Sequence, residues 1–184
     1  MERASFLTGE FRHALDDRGR VAVPVRFRAR LAQGATLARW LDGCLAIFPA
    51  DTWEDLAAKI QSLPTTNAAA RQFGRFMSSG AVEVELDRQG RVLVPSYLRE
   101  YAGLTQSEVV VVGALNRLEI WAPTRWQPYR SQIEDEPEAL AEHLADLDAV
   151  AHAVIAARAV DEPAGEALDR RLQRPGGREA EQAD

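Results

Sequence analysis

The chain has 184 residues, of which 46% are apolar and 27% charged, and its formal net charge is −6 at pH 7. This length accommodates one domain or at most two, and the apolar fraction excludes a chain that is disordered throughout. No apolar run approaches the roughly 20 residues of a membrane span, and the N-terminus lacks a signal-peptide core, so we expect a cytoplasmic protein without a membrane partner. The single cysteine, Cys44, excludes an internal disulfide and is expected to be a small buried side chain.

Charge is distributed unevenly along the chain. Residues 1–130 hold 17 basic and 14 acidic residues, whereas residues 131–184 hold 5 basic and 14 acidic ones. A mildly basic body with an acidic tail is typical of nucleic-acid binding or of a regulatory tail. Because 21 of the 22 basic residues are arginine, the choice of arginine at any one position carries little weight by itself.

A motif of 14 residues occurs twice in the chain, at residues 15–28 and, 71 residues later, at 86–99. Eight positions are identical: Leu15/Leu86, Asp16/Asp87, Gly19/Gly90, Arg20/Arg91, Val21/Val92, Val23/Val94, Pro24/Pro95 and Arg28/Arg99. An internal repeat predicts that each copy is one supersecondary unit whose apolar face is buried against its twin. It also predicts that an exposed residue of the motif is presented twice on one surface.

Both copies predict the same order of elements. A strand of alternating apolar residues is followed by a turn containing Asp and Gly, a second strand ended by proline, a short helix and two more strands. The predicted strands are 11–15, 20–23, 37–40 and 45–48 in the first copy, and 82–86, 91–94, 109–112 and 118–121 in the second. Short strands at this spacing favour a small barrel over a βαβ sheet.

Helices are predicted between the copies and after the second one. Residues 51–62 form an amphipathic pattern, and Thr66 or Asn67 caps a further helix that runs to about Met77. Leucines recur at helical spacing in the acidic stretch after residue 130, and the end of the chain lacks aromatic residues. The chain therefore divides into a first repeat (5–63), a second repeat (76–130), an acidic C-terminal helix (131–160) and a tail expected to be disordered (161–184).

The candidate site lies at the two turns, where an aspartate precedes an arginine by four residues. Asp16 and Asp87 are suited to accept backbone N–H bonds and to hold the guanidinium groups of Arg20 and Arg91 in one orientation. A rigidly presented arginine fits the O6/N7 edge of guanine or a phosphate group. The tip arginines of the two turns, Arg18 and Arg88, are expected to contact backbone phosphates.

A second interpretation of the same residues is structural. Two surface hairpins with Asp–Arg pairs would close their turns in this way without binding anything, and surface ion pairs are common and weak. A turn does not need arginine at the same position twice, which favours function. Common descent of the two halves explains some of the identity.

The residues resemble a known family at this point. The paired D-x-x-G-R-[VL]-x-[VI]-P motifs, together with residues 41–45 and 116–121, are similar to the MraZ family of bacterial transcriptional regulators over about residues 5–150. The resemblance implies a mainly β fold with α-helices: a pseudo-twofold, duplicated swapped-hairpin β-barrel of the SpoVT/AbrB type with flanking helices and a C-terminal helix.

The resemblance also implies a function. MraZ proteins are expected to form ring-shaped homo-oligomers at the nucleoid that bind direct repeats of double-stranded DNA upstream of their own gene, as regulators of the division and cell wall gene cluster. Repression and autoregulation are expected. The arginines to which the family's DNA binding is assigned match Arg20 and Arg91, and Arg18 and Arg88 stand where family members often have a lysine at the loop tip. The family implies no cofactor.

Two other classes of function remain open. An enzyme of the double-psi-barrel kind would have to use residues such as His13, Glu83 and Glu85, but their positions in the repeat predict ordinary strand residues. The sequence contains no phosphate loop, metal-ligand spacing or nucleophile motif, and no catalytic residue is expected. A pure assembly module would use Trp53 and Trp126 to build an oligomer, although packing within one subunit is the more ordinary role for both.

Overall fold

The computed structural model describes residues 6–143 of the chain. Contacts divide the chain into two compact units, one ending at Arg130 and the other beginning at Ser131. The strands are β1 (Leu7–Ala14), β2 (Arg20–Ala22), β3 (Ala35–Arg39), β4 (Leu45–Pro49), β5 (Val82–Val84), β6 (Arg91–Leu93), β7 (Glu108–Leu115) and β8 (Leu118–Trp121). The helices are α1 (Val25–Leu31), α2 (Ala50–Gln61), α3 (Ala68–Ser79), α4 (Ser96–Ala102), α5 (Pro123–Asp135) and α6 (Pro137–His143).

The predicted C-terminal segments fall partly beyond this range. The helix expected over 131–160 overlaps α5 and α6 as far as His143. Its remainder, and the tail expected at 161–184, lie outside the described residues.

Six strands form an antiparallel sheet in the order β1-β7-β8-β4-β3-β5, and β2 and β6 form a separate antiparallel pair. Interchanging each strand with its counterpart in the other repeat (β1 with β5, β3 with β7, β4 with β8) converts the sheet order into its own reverse. The order is therefore symmetric with respect to the two copies of the motif. The mainly antiparallel β architecture with helices is confirmed, whereas hydrogen bonding among residues 6–143 does not close the strands into one barrel.

The first strand of each repeat pairs with the third strand of the other repeat. β1 pairs with β7 over eight residues, from Leu7↔Leu115 to Ala14↔Glu108, and β5 pairs with β3 over three. The local hairpin between β1 and β2 is limited to one bridge, Leu15↔Val21, because β2 instead pairs with β6 across the repeats.

One hydrophobic core is built from both copies of the motif. The identical valines at its centre are almost completely buried, with exposed fractions of 1% for Val21 and Val92, 2% for Val23 and 0% for Val94. Burying a side chain of this kind contributes roughly 1.5–3 kcal/mol. Packing within the shared core therefore accounts for the apolar identities of the motif, but not for its charged ones.

Local signals in the sequence fix several element boundaries. The Asn67 side chain accepts hydrogen bonds from the backbone N–H groups of Ala69 at 2.9 Å and Ala70 at 3.2 Å, which makes it the predicted N-cap of α3. Gly103 ends α4 with a left-handed φ of 66°, as predicted for a glycine after a helix. None of the helices among residues 6–143 is both long and apolar enough to span a bilayer.

Candidate nucleic-acid interface

The two Asp-x-x-Gly turns have nearly the same backbone geometry. In the first turn the Gly19 N–H donates to the Asp16 carbonyl at 2.9 Å, and in the second the Gly90 N–H donates to the Asp87 carbonyl at 2.8 Å. Both glycines have a φ of 77°, a left-handed conformation that other residues adopt only with strain. The repeat therefore produces two copies of one turn rather than two loops that merely share a sequence.

Pairing across the repeats places the two turns side by side. The Val23 N–H donates to the Gly90 carbonyl at 2.9 Å, and the Val94 N–H donates to the Gly19 carbonyl at 2.8 Å. Between these bonds, β2 and β6 pair with Val21 opposite Val92. Because each turn is tied to the strand that leaves the other turn, the two form a single structural unit.

Each aspartate holds its own turn through its first carboxylate oxygen. Asp16 Oδ1 accepts the backbone N–H groups of Arg18 at 3.0 Å and of Arg20 at 2.8 Å. Asp87 Oδ1 accepts those of Gln89 at 2.9 Å and of Arg91 at 3.0 Å. In both turns the aspartate side chain thus accepts two backbone N–H groups of its own turn, as an Asp at the first position of a turn can.

The second carboxylate oxygen of each aspartate binds the arginine that leaves the turn. Arg20 Nε donates to Asp16 Oδ2 at 2.8 Å. Arg91 donates to Asp87 Oδ2 through Nε at 2.9 Å and through Nη2 at 2.8 Å. The orientation of both guanidinium groups is thus fixed by the aspartate four residues earlier.

The two Asp–Arg pairs also bind each other. Arg91 Nη1 lies 3.2 Å from Asp16 Oδ2, and Arg20 Nη1 lies 3.6 Å from Asp87 Oδ2. The four side chains are between 23% and 31% exposed. They form one cluster, the four-charge cluster, in which each arginine contacts the aspartates of both repeats. The sequence predicted the two local pairs but gave no sign of the crossed ones.

The cluster keeps its carboxylates ionised. Hydrogen bonds from the Arg91 side chain and backbone lower the pKa of Asp87 from its ordinary value of 3.8 to about 2. The pKa of Asp16 is lowered as well, first by the Arg20 backbone N–H and then by the Arg20 guanidinium. At neutral pH the cluster therefore contains two carboxylates and two guanidinium groups in mutual contact.

Two further arginines of the motif lie beneath the turns. A Cβ built on Gly19 would come within 3.1 Å of Arg99 Nε, and a Cβ on Gly90 would overlap the Arg28 guanidinium. Each of these arginines therefore packs under the turn of the other repeat. The sequence places Arg28 among the basic residues around the first turn but gives no sign that it packs under the second. Arg28 and Arg99 are among the eight identical positions, and no buried apolar role explains them.

The tips of the turns are the exposed part of the site. Arg18 and Arg88 are exposed, as are their neighbours Asp17 and Gln89. The structure thus brings Asp16, Asp87, Arg20 and Arg91 together in the cluster and leaves the tip residues facing solvent.

The residues considered for other functions take ordinary positions in the fold. His13 is half-buried on β1, where burial first and Arg28 second lower its pKa. Glu83 and Glu85 are exposed, as alternation along a strand predicts.

Both candidate assembly tryptophans make aromatic contacts within the chain. Trp126 is 8% exposed and lies 5.2 Å from the Trp121 ring, while the half-buried Trp53 lies 5.7 Å from Phe48. Cys44 is completely buried, and burial raises the pKa of its thiol.

The fold and the paired turns define a class of protein, a duplicated antiparallel β protein that presents two equivalent Asp–Arg turns side by side. Comparison with known proteins gives the family. The model of the family described as "MraZ protein, putative antitoxin-like" matches the chain twice in succession, over residues 6–76 and 77–148. The chain belongs to the MraZ family.

Several relatives are similar over nearly their whole length. Proteins named transcriptional regulator MraZ from Moorella thermoacetica and Natranaerobius thermophilus are 49% and 48% identical to the chain over 140 residues, which is 76% of this chain and 97% of each relative. The protein of the same name from a Thermoanaerobacter species is 40% identical over 142 residues, covering 77% of this chain and 99% of the relative.

Proposed function

We propose that this chain is a sequence-specific regulator of transcription that binds double-stranded DNA through its paired turns, and that it is not an enzyme. The observation that carries the proposal is the four-charge cluster, which fixes two equivalent arginine turns next to each other. The relatives' printed name, transcriptional regulator, supports the same function. The fold alone would not support it, since one fold serves many functions.

Each residue of the site has a proposed role. Arg20 and Arg91 approach guanine edges, for which a fixed guanidinium is well suited, and Asp16 and Asp87 orient them. The tip arginines Arg18 and Arg88 are exposed and bind backbone phosphates. The proposed DNA site needs neither a metal ion nor a cofactor.

Assembly supplies the rest of the binding surface. Specific protein–DNA interfaces bury about 1,000–2,500 Å² of protein surface, more than two short turns offer. We therefore propose a ring-shaped homo-oligomer whose subunits bind successive direct repeats, so that weak contacts add up when the spacing of sites and subunits agrees. Within each subunit, the repeats 5–63 and 76–130 would together form a swapped-hairpin barrel of the SpoVT/AbrB type.

The proposed target is the DNA upstream of the chain's own gene. Membership of the MraZ family supports direct repeats in the division and cell wall gene cluster, with repression and autoregulation as the outcome and a nucleoid-associated location in the cytoplasm. The acidic segment 131–160 and the tail 161–184 are assigned no part in DNA contact.

A fluorescence-anisotropy titration tests this function. The full chain is titrated against a labelled duplex from just upstream of its own gene and against a random duplex of equal length, each at 50 and 200 mM salt. We expect tighter binding to the upstream duplex and a loss of affinity as salt rises, because phosphate contacts release counterions. Equal affinity for the two duplexes would contradict sequence-specific regulation.

One observation favours a second function, a ring-forming assembly protein without specific DNA recognition. Arg20 and Arg91 are engaged with carboxylates of both repeats, which is also what a purely structural cluster would require. The same titration distinguishes the two functions, provided that the oligomeric state is measured in parallel. An intact oligomer that does not distinguish the two duplexes supports the assembly protein.

A further inference from the structure

The two turns have the same pattern of hydrogen bonds to their backbone N–H groups, which we call the frame, but they differ in both residues at their tips. The hydrogen bonds that define the frame have the same partners in both turns and differ in length by no more than 0.2 Å. The two residues between the aspartate and the glycine are Asp17 and Arg18 in the first turn, and Arg88 and Gln89 in the second. The tip arginines therefore occupy different positions of the turn, since Arg18 is the second residue after its aspartate and Arg88 is the first.

Because the frame is the same in both turns, each tip residue of the first turn has an equivalent in the second. The backbone N–H groups of Arg18 and Gln89 donate to the equivalent carboxylate oxygen, at 3.0 and 2.9 Å. These two side chains therefore leave the turn from equivalent positions, and so do those of Asp17 and Arg88 one residue earlier. All four are exposed, so the difference between the tips lies at the surface.

We propose that Arg18 reads a base edge instead of the phosphate assigned to it above, and that Arg18 and Gln89 determine base specificity. The two turns of one subunit then recognise different base pairs, and the site of one subunit lacks dyad symmetry. This inference rests on the proposed function. An arginine in the major groove pairs with guanine O6 and N7, whereas glutamine pairs with adenine N6 and N7. At the base pair that faces its tip, the first turn then selects G·C and the second selects A·T, beside the guanine contacts that Arg20 and Arg91 make alike in both turns.

The preceding tip position strengthens the difference. Arg88 carries the charge that binds a phosphate, whereas Asp17 at the equivalent position repels one. The second turn therefore sits closer to the DNA backbone than the first. The tips differ in net charge as well as in hydrogen-bonding groups.

The four-charge cluster cannot supply this discrimination. Arg20 and Arg91 are the same residue in equivalent places, so whatever base one of them favours, the other favours as well. Arg28 and Arg99, beneath the turns, are likewise identical. Among the residues of the two turns, only the tips distinguish one half of the DNA site from the other.

Selection from a random duplex library tests the inference. The wild-type chain and two double variants, D17R/R18Q and R88D/Q89R, each select binding sequences from duplexes with about 20 randomised base pairs. The first variant gives both turns the tip of the second repeat, and the other gives both turns the tip of the first. All four replaced residues are exposed and lie outside the cluster, and circular dichroism with size-exclusion chromatography checks that fold and assembly are unchanged.

We expect the wild-type chain to select a site without dyad symmetry and each variant to select a more symmetric one. D17R/R18Q should lose the guanine preference at the base pair that faces the first tip, and keep the preferences of the other half of the site. A single bidentate pair discriminates by about 5-fold to 150-fold, which such a selection detects.

The inference and the function on which it rests fail in different ways. A dyad-symmetric wild-type site, or variants that select the wild-type site, would overturn the inference and leave DNA recognition standing. If the wild-type chain enriches no sequence at all, the proposed function fails and the inference falls with it.

Discussion

Arg91 of the second repeat lies within 3.2 Å of Asp16 of the first, 75 positions earlier in the chain, while it also binds Asp87 of its own turn. One guanidinium group thus links the two copies of the motif. Because Arg20 makes the reciprocal contact at 3.6 Å, the position of each turn depends on the other. The cluster therefore holds the two surface turns at a fixed separation.

Acid should weaken this link in a defined pH range. The pKa of Asp87 is about 2 in the folded chain and 3.8 ordinarily, so its contribution to stability is present above about pH 4 and is lost as the pH falls towards 2. We predict that Asp87→Asn shows a smaller loss of unfolding free energy than the wild type between pH 4 and pH 2, measured by urea unfolding. Identical slopes for the two proteins would mean that Asp87 makes no such contribution.

The turn glycines should tolerate no side chain. We predict that Gly90→Ala lowers the free energy of unfolding by at least about 1–2 kcal/mol, because φ is 77° and the new Cβ would overlap the Arg28 guanidinium. Gly74→Ala in α3 is a matched control: its Cβ would lie 3.6 Å from Ile60, an ordinary contact, and it should raise stability by roughly 0.5–1 kcal/mol. Equal effects of the two changes in thermal unfolding would contradict the turn geometry.

The shared core should be sensitive at buried positions of the motif. Leu98 in α4 is fully buried, so Leu98→Ala should cost about 2–5 kcal/mol of stability. Leu93 in β6 is 55% exposed, and Leu93→Ala should change stability by no more than about 0.5 kcal/mol. Urea unfolding of both variants measures the difference. Comparable losses would show that the burial described for α4 is wrong.

Much of the local structure could be predicted from the sequence. Asn67 and Gly103 carry local signals that mark the ends of helices, and Asp16 with Gly19 carries the chemistry of a tight turn. Such signals involve only a few neighbouring residues, so each can be recognised directly in the sequence. The two turns, their aspartates and the strand order within each copy could all be predicted in this way.

The pairing between repeats could not be predicted by the same means. Both copies have the same apolar pattern, so nothing local determines whether β1 pairs with its own repeat or, as observed, with β7. The crossed contacts of Arg20 and Arg91, and the packing of Arg28 beneath Gly90, follow from that pairing. A repeated sequence makes its units easy to recognise, but it leaves their partners ambiguous.

If a ring of subunits binds direct repeats, its affinity for DNA depends on the spacing between those repeats. Inserting about 5 base pairs, half a helical turn, between two operator repeats would rotate one of them to the opposite face of the duplex. We predict a sharp loss of affinity with this insert and partial recovery with an insert of about 10 base pairs, measured by anisotropy. Affinity that does not change with spacing would contradict the ring.

DNA binding by arginine variants of the turns distinguishes a cluster that contacts DNA from one that is only structural. The Arg20→Ala/Arg91→Ala variant removes both guanidinium groups of the cluster, and Arg18→Ala/Arg88→Ala removes the exposed tip charges and leaves the cluster intact. The control, Arg71→Ala/Arg75→Ala, removes two exposed charges from α3. Each is titrated by anisotropy against the duplex upstream of the chain's own gene, after its oligomeric state has been checked. We predict that both turn variants lose specific binding while the α3 variant keeps it. Intact turn variants that bind as tightly as the wild type would reduce the Asp–Arg cluster to a structural support.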